Sequence, residues 1–255
     1  MGSIPVALQL FTVRQDLAED PVGTIHEVAK IGYRGVEGGP PGDMSNKDYL
    51  DLLGEAGLKL IGGGCKPADL REDLNRIVES SEELGINTLM TGIGGEVRNG
   101  GVDWKTSVAN LGEGCAKATE AGLRILYHNH AFEFETEVDG MYGLDYLLTT
   151  IPASSIGAEI DTYWVDAGGE DPVAYIEKYA GRLPFLHIKD RTPEPEHENC
   201  PFAEIGHGTL DWDAIFDAAQ TAGIEWYVVE QDRWQRPPLE CIRMSFEFLQ
   251  SKGIA

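Results

Sequence analysis

Four residues that can bind a divalent metal lie at or next to the ends of the last four predicted strands of this sequence. They are His128, Asp161, His187 and Glu230. Side chains at the carboxyl ends of parallel strands converge when the sheet closes into a barrel, although they are far apart in the sequence. Two imidazoles and two carboxylates suit Mn²⁺, Co²⁺, Fe²⁺ or Zn²⁺, and they suit Mg²⁺ less well because it prefers oxygen ligands. The pattern predicts one divalent metal ion, with Mn²⁺ as the preferred identity.

The elements that must position these residues follow a regular order. Short apolar runs alternate with longer amphipathic stretches along the whole sequence, which is typical of successive βα units around a parallel sheet. The predicted strands span residues 6–10, 35–37, 58–62, 88–91, 124–128, 156–161, 185–188 and 226–230. We therefore expect an α/β fold in which residues 1–255 form a single (β/α)8 TIM barrel domain. An open doubly wound sheet is the alternative.

The predicted helices support the same order. They span residues 21–31, 70–84, 104–121, 143–150, 172–179, 212–222 and 239–252. Gly57, Gly85, Gly122 and Gly223 each follow a helical stretch and precede an apolar run. Glycine is favoured at this position because the residue after a helix often adopts a left-handed conformation. These glycines therefore predict the helix ends at the bottom of the barrel.

Composition excludes several classes of partner. The sequence has 43 acidic and 20 basic residues, which gives a formal net charge of −23. A surface this negative repels phosphate backbones and anionic lipids, so we expect neither nucleic acid nor membrane as a partner. No apolar run approaches the ~20 residues that span a bilayer, and the N-terminus lacks a basic segment followed by a long apolar one. The four cysteines form no CxxC pair, so we expect reduced thiols and a cytoplasmic protein. The oligomeric state is not predicted.

Several strand-end motifs resemble those of the xylose-isomerase-like sugar isomerase/epimerase superfamily. The motifs are LQLFTVR at 8–14, LYHNH at 126–130, EIDTYW at 159–164, LHIKD at 186–190, GHGTLDW at 206–212 and VEQD at 229–232. The resemblance covers nearly the whole chain and implies a TIM barrel with one metal at its mouth. Carried over position by position, the four ligands of the family fall on His128, Asp161, His187 and Glu230.

The residue type at one ligand position differs from the family pattern. Its epimerases usually have Glu at the first ligand, in a Glu-Asn-His run, where this chain has His128. In those enzymes two glutamates flank the substrate, and one removes a proton from carbon while the other returns one. An imidazole at this position removes a carboxylate base, which argues against simple two-glutamate epimerisation. Glu230 remains the candidate base, with His207, Lys189 or Glu37 as the partner acid.

The candidate acids also have other interpretations. His207 lies between two glycines that let the backbone approach a ligand, but it could equally be an exposed loop histidine. Lys189 follows His187 by two residues and should point to the same side of its strand; the alternative is a surface ion pair with Asp190. Glu37 ends a strand before the loop at 38–42, which could border a pocket.

Other residues near the strand ends are candidates for substrate contacts. His130 and Asn129 are expected to orient His128 or to contact substrate hydroxyls. Aromatic side chains can form flat apolar walls against which sugar rings stack. The candidates for this role are Tyr163, Trp164 and Trp234. Glu133 and Glu135 are expected to face solvent.

The leading hypothesis is a metal-dependent isomerase or epimerase of a small carbohydrate. It would remove a proton beside a carbonyl, and the metal would stabilise the resulting enediolate. A competing hypothesis is a lyase or hydratase on a keto-sugar, because the same enediolate can expel a leaving group from the β-carbon; His128 favours it. A non-catalytic sugar-binding relative is a third possibility. A repair nuclease for abasic DNA is disfavoured by the net charge of −23.

Overall fold

Eight parallel strands close into a barrel in the computed structural model, which describes residues 4–94, 97, 101–193 and 200–255. The strands are β1 (Val6–Gln9), β2 (Gly35–Glu37), β3 (Lys59–Gly64), β4 (Thr88–Thr91), β5 (Arg124–His128), β6 (Gly157–Asp161), β7 (Phe185–Ile188) and β8 (Trp226–Val229). Strand β1 pairs with both β2 and β8, which closes the sheet. The predicted TIM barrel is confirmed, and the open sheet is wrong.

Helices surround the barrel. They are α1 (Arg14–Glu19), α2 (Pro21–Ile31), α3 (Asn46–Ala56), α4 (Asp69–Glu72), α5 (Leu74–Leu84), α6 (Trp104–Glu120), α7 (Phe132–Glu135), α8 (Gly143–Thr150), α9 (Thr162–Ala167), α10 (Pro172–Lys178), α11 (Trp212–Ala222) and α12 (Pro238–Ser251). Within the described part of the chain, none of the helices has both the length and the apolar character needed to cross a bilayer.

The helices differ from the predicted ones in five places, because the predicted helix at 70–84 is divided and no range was predicted for α1, α3, α7 or α9. The predicted helix at 70–84 is two helices, α4 and α5, because Asp73 adopts φ −145° and ψ 41°, outside the helical region. The sequence predicts the end of α3 at Gly57, which the structure confirms with φ 74°, but it gives the helix no range. Ser45, which caps the first turn, was the available signal for its start.

The barrel interior has an apolar layer below a polar one. Because successive side chains of a strand alternate between its two faces, residues two apart along β1, β5, β7 and β8 point inward together. The buried apolar residues of this interior cluster are Ala7, Ile61, Leu126, Phe185 and Val228. Two positions further along their strands, toward the carboxyl ends, come Gln9, His128, His187 and Glu230. The strand pattern that packs the core therefore also builds the polar mouth.

Candidate functional site

The structure brings the four predicted ligands together at the mouth of the barrel. Each of His128, Asp161, His187 and Glu230 offers one ligand atom, and these atoms lie within 4.8 Å of one another. Ligand atoms bound at about 2.1 Å to one ion stand at most about 4.2 Å apart, on its opposite sides. A contraction of about 0.6 Å or more at the widest pair would thus let all four bind one ion. The donor set and its spacing fit a divalent metal.

Strand register and a helix cap position Asp161. It ends β6 and is the Cα partner of His187 on β7. Its Oδ1 caps helix α9 by accepting a hydrogen bond from the backbone N–H of Trp164 at 3.0 Å. On the other side, the buried amide oxygen of Asn129 accepts a hydrogen bond from the backbone N–H of Asp161 at 3.0 Å. Asn129 is fully buried, so it joins the ends of β5 and β6.

Lys189 extends its side chain into the ligand cluster. Its Nζ lies 2.9 Å from Oδ2 of Asp161, 2.9 Å from Oε2 of Glu230 and 2.9 Å from Oδ2 of Asp232. The side chain is completely buried, so the alternative of a surface ion pair with Asp190 is wrong. Burial alone lowers the pKa of Lys189, but the three carboxylates outweigh it and raise the pKa well above its usual value. A positive charge is therefore fixed among the ligands.

A second buried group lies beside the ligands and shares His187. It consists of Glu37, Glu159 and His187. His187 Nε2 lies 3.1 Å from Glu37 Oε1, to which the amide of Gln9 also donates a hydrogen bond at 2.6 Å. Burial, with a contribution from the Glu159 carboxylate, raises the pKa of Glu37 to about 8. Glu37 therefore holds a proton at neutral pH, although His187 opposes this shift.

Charges within the cluster shift the pKa of His187 and of Glu230 in opposite directions. Burial lowers the pKa of His187, but the Glu159 carboxylate and the contacts with Glu159 and Glu230 outweigh it and raise the pKa well above its usual value. Burial raises the pKa of Glu230, but the ammonium of Lys189 and the hydrogen-bonded ring of His187 hold it well below its usual range. Glu230 is therefore a carboxylate at neutral pH.

Sequence reasoning missed Glu159 and misjudged Glu133. Glu159 precedes Asp161 by two residues, so strand alternation places it on the same inward face. Its Oε2 lies 3.1 Å from Nδ1 of His128. Glu133 was expected to face solvent, but it is fully buried, and its carboxylate accepts hydrogen bonds from the Tyr127 hydroxyl and the His130 N–H, both at 2.9 Å, which offset the loss of water. Glu135 is exposed, as expected.

A pocket of about 330 Å³ opens at the ligand cluster. Its lining residues are Gln9, Phe11, Gly38, Gly64, Met90, His128, His130, His187, Glu230 and Asp232. Phe11 and Asp232 are therefore pocket residues that sequence reasoning did not single out. The signals available for them were the chain positions that directly follow β1 and β8, where barrel enzymes carry their functional side chains.

The predicted aromatic walls lie beside this pocket rather than in its lining. Tyr163 is buried and packs on Phe202, with ring centroids 4.4 Å apart. Trp164 packs on the ring of His130 at 5.3 Å, so it supports a residue that does line the pocket. The guanidinium of Arg14 stacks on Trp234 at 4.4 Å. The structure thus places these aromatics around the mouth, one layer behind the pocket surface.

His207 lies apart from the cluster. Its side chain is exposed, and in the described part of the chain it is not among the residues that line the pocket. Asp190 contacts the turn that carries His207. Its Oδ2 accepts hydrogen bonds from the backbone N–H groups of Gly206 at 2.9 Å and Gly208 at 3.0 Å. The indole N–H of Trp212 donates to the same oxygen at 2.8 Å. Asp190 therefore fixes the turn.

Comparison with known proteins agrees with this geometry. Residues 25–252 match the model of the xylose isomerase-like TIM barrel family. The chain belongs to this family. A curated relative named inosose dehydratase, from Lacticaseibacillus casei, is 29% identical over 151 residues, which are 53% of this chain and 49% of that protein. The chain thus spans about half the length of the curated relatives it matches.

Solved structures of the family share the fold. A sugar phosphate isomerase/epimerase from Parabacteroides distasonis superposes with a TM-score of 0.80 at 24% identity, covering 100% of this chain and 96% of that one. The IOLI protein, whose structure holds a zinc atom, superposes with a TM-score of 0.74 at 16% identity and covers 98% of each chain. Identities this low establish the common barrel and leave the reaction to be argued from the site.

Proposed function

We propose that this protein is a metal-dependent enzyme that removes a proton beside the carbonyl of a small keto-carbohydrate and then eliminates a leaving group from the β-carbon. The observation that carries this proposal is the convergence of four ligand side chains on one pocket, three of which line it: His128, His187 and Glu230. When bound, a divalent cation, with Mn²⁺ preferred, supplies Lewis-acid stabilisation of negative charge on the substrate oxygens.

Glu230 is the group that takes the proton from carbon. It lines the pocket, and it is a carboxylate because Lys189 and His187 hold its pKa well below its usual range. A base must be unprotonated and within reach of the substrate, and among the carboxylates at the mouth Glu230 meets both requirements. The neutral Glu37 meets neither, because it is completely buried beneath His187.

The proton that Glu230 takes from carbon must reach the departing oxygen, and Asp232 is the pocket carboxyl placed to pass it on. Burial raises the pKa of Asp232, although the ammonium of Lys189 opposes the shift. The carboxyl lines the pocket and is linked to Glu230 through Lys189 Nζ, which lies 2.9 Å from an oxygen of each. Lys189 thus serves as the bridge between base and acid. His207 and Glu37 lie outside the pocket lining, so we assign neither as the acid.

Two observations favour elimination over epimerisation. First, His128 stands where a second carboxylate base would be needed to return a proton to the opposite face of the same carbon. Second, the curated relatives at 25–29% identity are named inosose dehydratase, a lyase that removes water. Isomerisation, in which one base moves the proton between neighbouring carbons, shares the first step and is the second candidate, because it needs only the one pocket base, Glu230.

An exchange experiment in D₂O separates these reactions. Protein loaded with Mn²⁺ is incubated with keto-inositols and keto-sugar glycosides, and the products are followed by NMR. Elimination releases the leaving group and forms an unsaturated or deoxy-keto product, whereas isomerisation places deuterium on carbon without release. We expect release, and we expect its loss in the Glu230→Gln variant and after removal of the metal with EDTA. If the loaded protein gives neither deuterium uptake nor release with any of these substrates, the proposed function is wrong.

A further inference from the structure

We propose that Glu159 is a positioning residue that holds both histidine ligands in the orientation that binds the metal. The inference rests on the proposed metal site and extends it to a residue outside the ligand set. Glu159 is completely buried on β6, between the strands that carry His128 and His187. Metal-binding histidines are commonly oriented by a carboxylate at the ring nitrogen that faces away from the ion.

The contact with His128 determines which nitrogen faces the ligand cluster. His128 and Glu159 are Cα partners in the register of β5 and β6, so their side chains project inward side by side. Glu159 Oε2 lies 3.1 Å from His128 Nδ1, while His128 Nε2 points toward Asp161 Oδ2 at 3.8 Å. A proton held on Nδ1 by the carboxylate leaves the lone pair of Nε2 directed at the ion.

The same oxygen also reaches the second histidine ligand. Glu159 Oε2 lies 3.4 Å from His187 Nε2, as a charge contact beside the hydrogen bond of that nitrogen to Glu37 Oε1 at 3.1 Å. The other nitrogen of the ring, Nδ1, lies 3.0 Å from Glu230 Oε2. One carboxylate oxygen therefore stands behind both rings, and each ring turns its other nitrogen toward the ligand cluster. The rings of His128 and His187 meet edge to face, with centroids 4.6 Å apart, which leaves them little freedom to rotate independently.

The remaining oxygen argues against a purely structural role. Oε1 of Glu159 is buried and has no hydrogen-bond partner among the described residues. A buried carboxylate whose hydrogen bonds are incomplete is costly, and an amide or apolar residue of similar size would pack at lower cost. A carboxylate raises the ligand basicity of the imidazole it contacts. This effect on His128 and His187 explains why a charged residue is buried here.

Metal binding without substrate tests the inference. Three variants are compared with the wild type: Glu159→Gln removes the charge, Glu159→Ala also removes the hydrogen bond, and Glu133→Gln is the matched control. Glu133 is likewise completely buried and follows β5, but its carboxylate contacts Tyr127 and the backbone of His130. Affinity for Mn²⁺ and Zn²⁺ is measured by competition with a chromogenic chelator, and ¹⁵N-histidine NMR of the metal-free protein reports the tautomer of His128.

We expect Glu159→Gln to weaken metal binding about 10-fold and Glu159→Ala up to about 100-fold, the range for such outer carboxylates. The NMR spectrum of Glu159→Ala should lose the preference of His128 for a proton on Nδ1. Glu133→Gln should bind metal like the wild type. Unchanged affinity and unchanged tautomers in both Glu159 variants would overturn the inference while leaving the proposed function intact. A wild-type protein that binds no divalent metal would instead remove the proposed function itself.

Discussion

The ammonium nitrogen of Lys189 lies 2.9 Å from the Oε2 atom of Glu230, a candidate metal ligand. Asp161, another ligand, offers an oxygen at the same distance. Without a metal, this buried cation is the charge that balances the ligand carboxylates. Breaking a buried ion pair by removing one partner costs about 3–5 kcal/mol, because the remaining charge is left uncompensated.

The variant Lys189→Met should therefore be destabilised in the metal-free form and should depend more strongly on metal. We expect its free energy of unfolding in EDTA to fall by about 3 kcal/mol or more. Saturating Mn²⁺ should then raise its melting temperature by more than it raises that of the wild type, because the metal becomes the main countercharge. Thermal unfolding with EDTA and with Mn²⁺ measures both effects.

The control for Lys189 is a surface pair. Lys117 pairs with Glu113 at 2.7 Å, and both side chains are about half exposed. Because exposed ion pairs contribute only about 0–1 kcal/mol, Lys117→Met should leave both the stability and the effect of Mn²⁺ close to those of the wild type. Equal Mn²⁺ shifts in Lys189→Met and Lys117→Met would show that Lys189 does not compensate the ligands.

Asp161→Asn should separate metal binding from helix capping. The amide can still accept the hydrogen bond from the backbone N–H of Trp164 that caps α9, so the helix cap is kept. The loss of one of the three carboxylates around the buried Lys189 should still lower the free energy of unfolding in EDTA, but by less than Lys189→Met does, because two carboxylates remain to pair with the ammonium. Loss of an anionic ligand should lower the metal content of protein purified from Mn²⁺-supplemented medium to a small fraction of the wild-type value. Elemental analysis and urea unfolding provide the two measurements.

Asp171→Asn is the matched control for this variant. Asp171 caps α10 through a hydrogen bond from the backbone N–H of Val173 at 2.9 Å, and it lies outside the ligand cluster. It should keep full metal content and change the free energy of unfolding by no more than about 1 kcal/mol, because only the helix cap is altered. Wild-type metal content in Asp161→Asn would contradict the assignment of Asp161 as a ligand.

The sequence was sufficient to predict the barrel because short apolar runs mark its strands and amphipathic stretches of helical period mark most of its helices. Every barrel strand was predicted within two residues at either end, since each is a short apolar run followed by polar residues. Helix α3 was given no range because its buried apolar residues, Tyr49, Leu52 and Leu53, cover little more than one turn, and the break at Asp73 was missed because it depends on the backbone angles of one residue. Local conformation of this kind is weakly encoded in hydrophobic pattern.

The candidate site also has features that the sequence pattern predicts and features that depend on tertiary contacts. The ligands were predictable because each ends a strand, and Glu159 could have been found from its two-residue spacing to Asp161. The shift of the Glu37 pKa to about 8 could not, because it arises from burial and from a neighbour 122 positions away in sequence, Glu159. Likewise, nothing in the sequence near His207 indicates that backbone N–H groups of its turn donate hydrogen bonds to Asp190.

Asp190→Ala should loosen that turn. The substitution leaves the N–H groups of Gly206, Gly208 and Trp212 without their acceptor. Since each buried unsatisfied donor costs about 1–3 kcal/mol, we expect the free energy of unfolding to fall by about 3 kcal/mol or more. Hydrogen exchange at residues 206–210 should accelerate more than exchange in the barrel strands, as seen by mass spectrometry.

The control for Asp190 is Asp166→Ala. Asp166 pairs with Arg191, and both side chains are partly exposed, so its loss should cost no more than about 1 kcal/mol. Exchange at 206–210 should stay at the wild-type rate in this variant. If Asp190→Ala and Asp166→Ala were equally stable, the hydrogen bonds to Asp190 would have no net effect on the turn.

The formal charge of −23 predicts that salt stabilises the fold. Like charges on one surface repel, and raising ionic strength from 0.1 to 1 M shortens the screening length from about 10 Å to about 3 Å. A gain of about 1–2 kcal/mol would raise the melting temperature by roughly 2–8 °C for a protein of this size. KCl is the appropriate salt, because sulfate strengthens apolar burial and would confound the result.

Thermal unfolding in EDTA across this range of KCl, with urea unfolding at each concentration, tests the charge effect. The urea m-value should stay constant, because it reports the surface exposed on unfolding rather than surface charge. A melting temperature that stays level or falls would mean that the surface ion pairs lost to screening, such as Arg124 with Glu225, outweigh the repulsion. We expect the rise, because 43 acidic residues face only 20 basic ones and most carboxylates therefore lack a cationic partner.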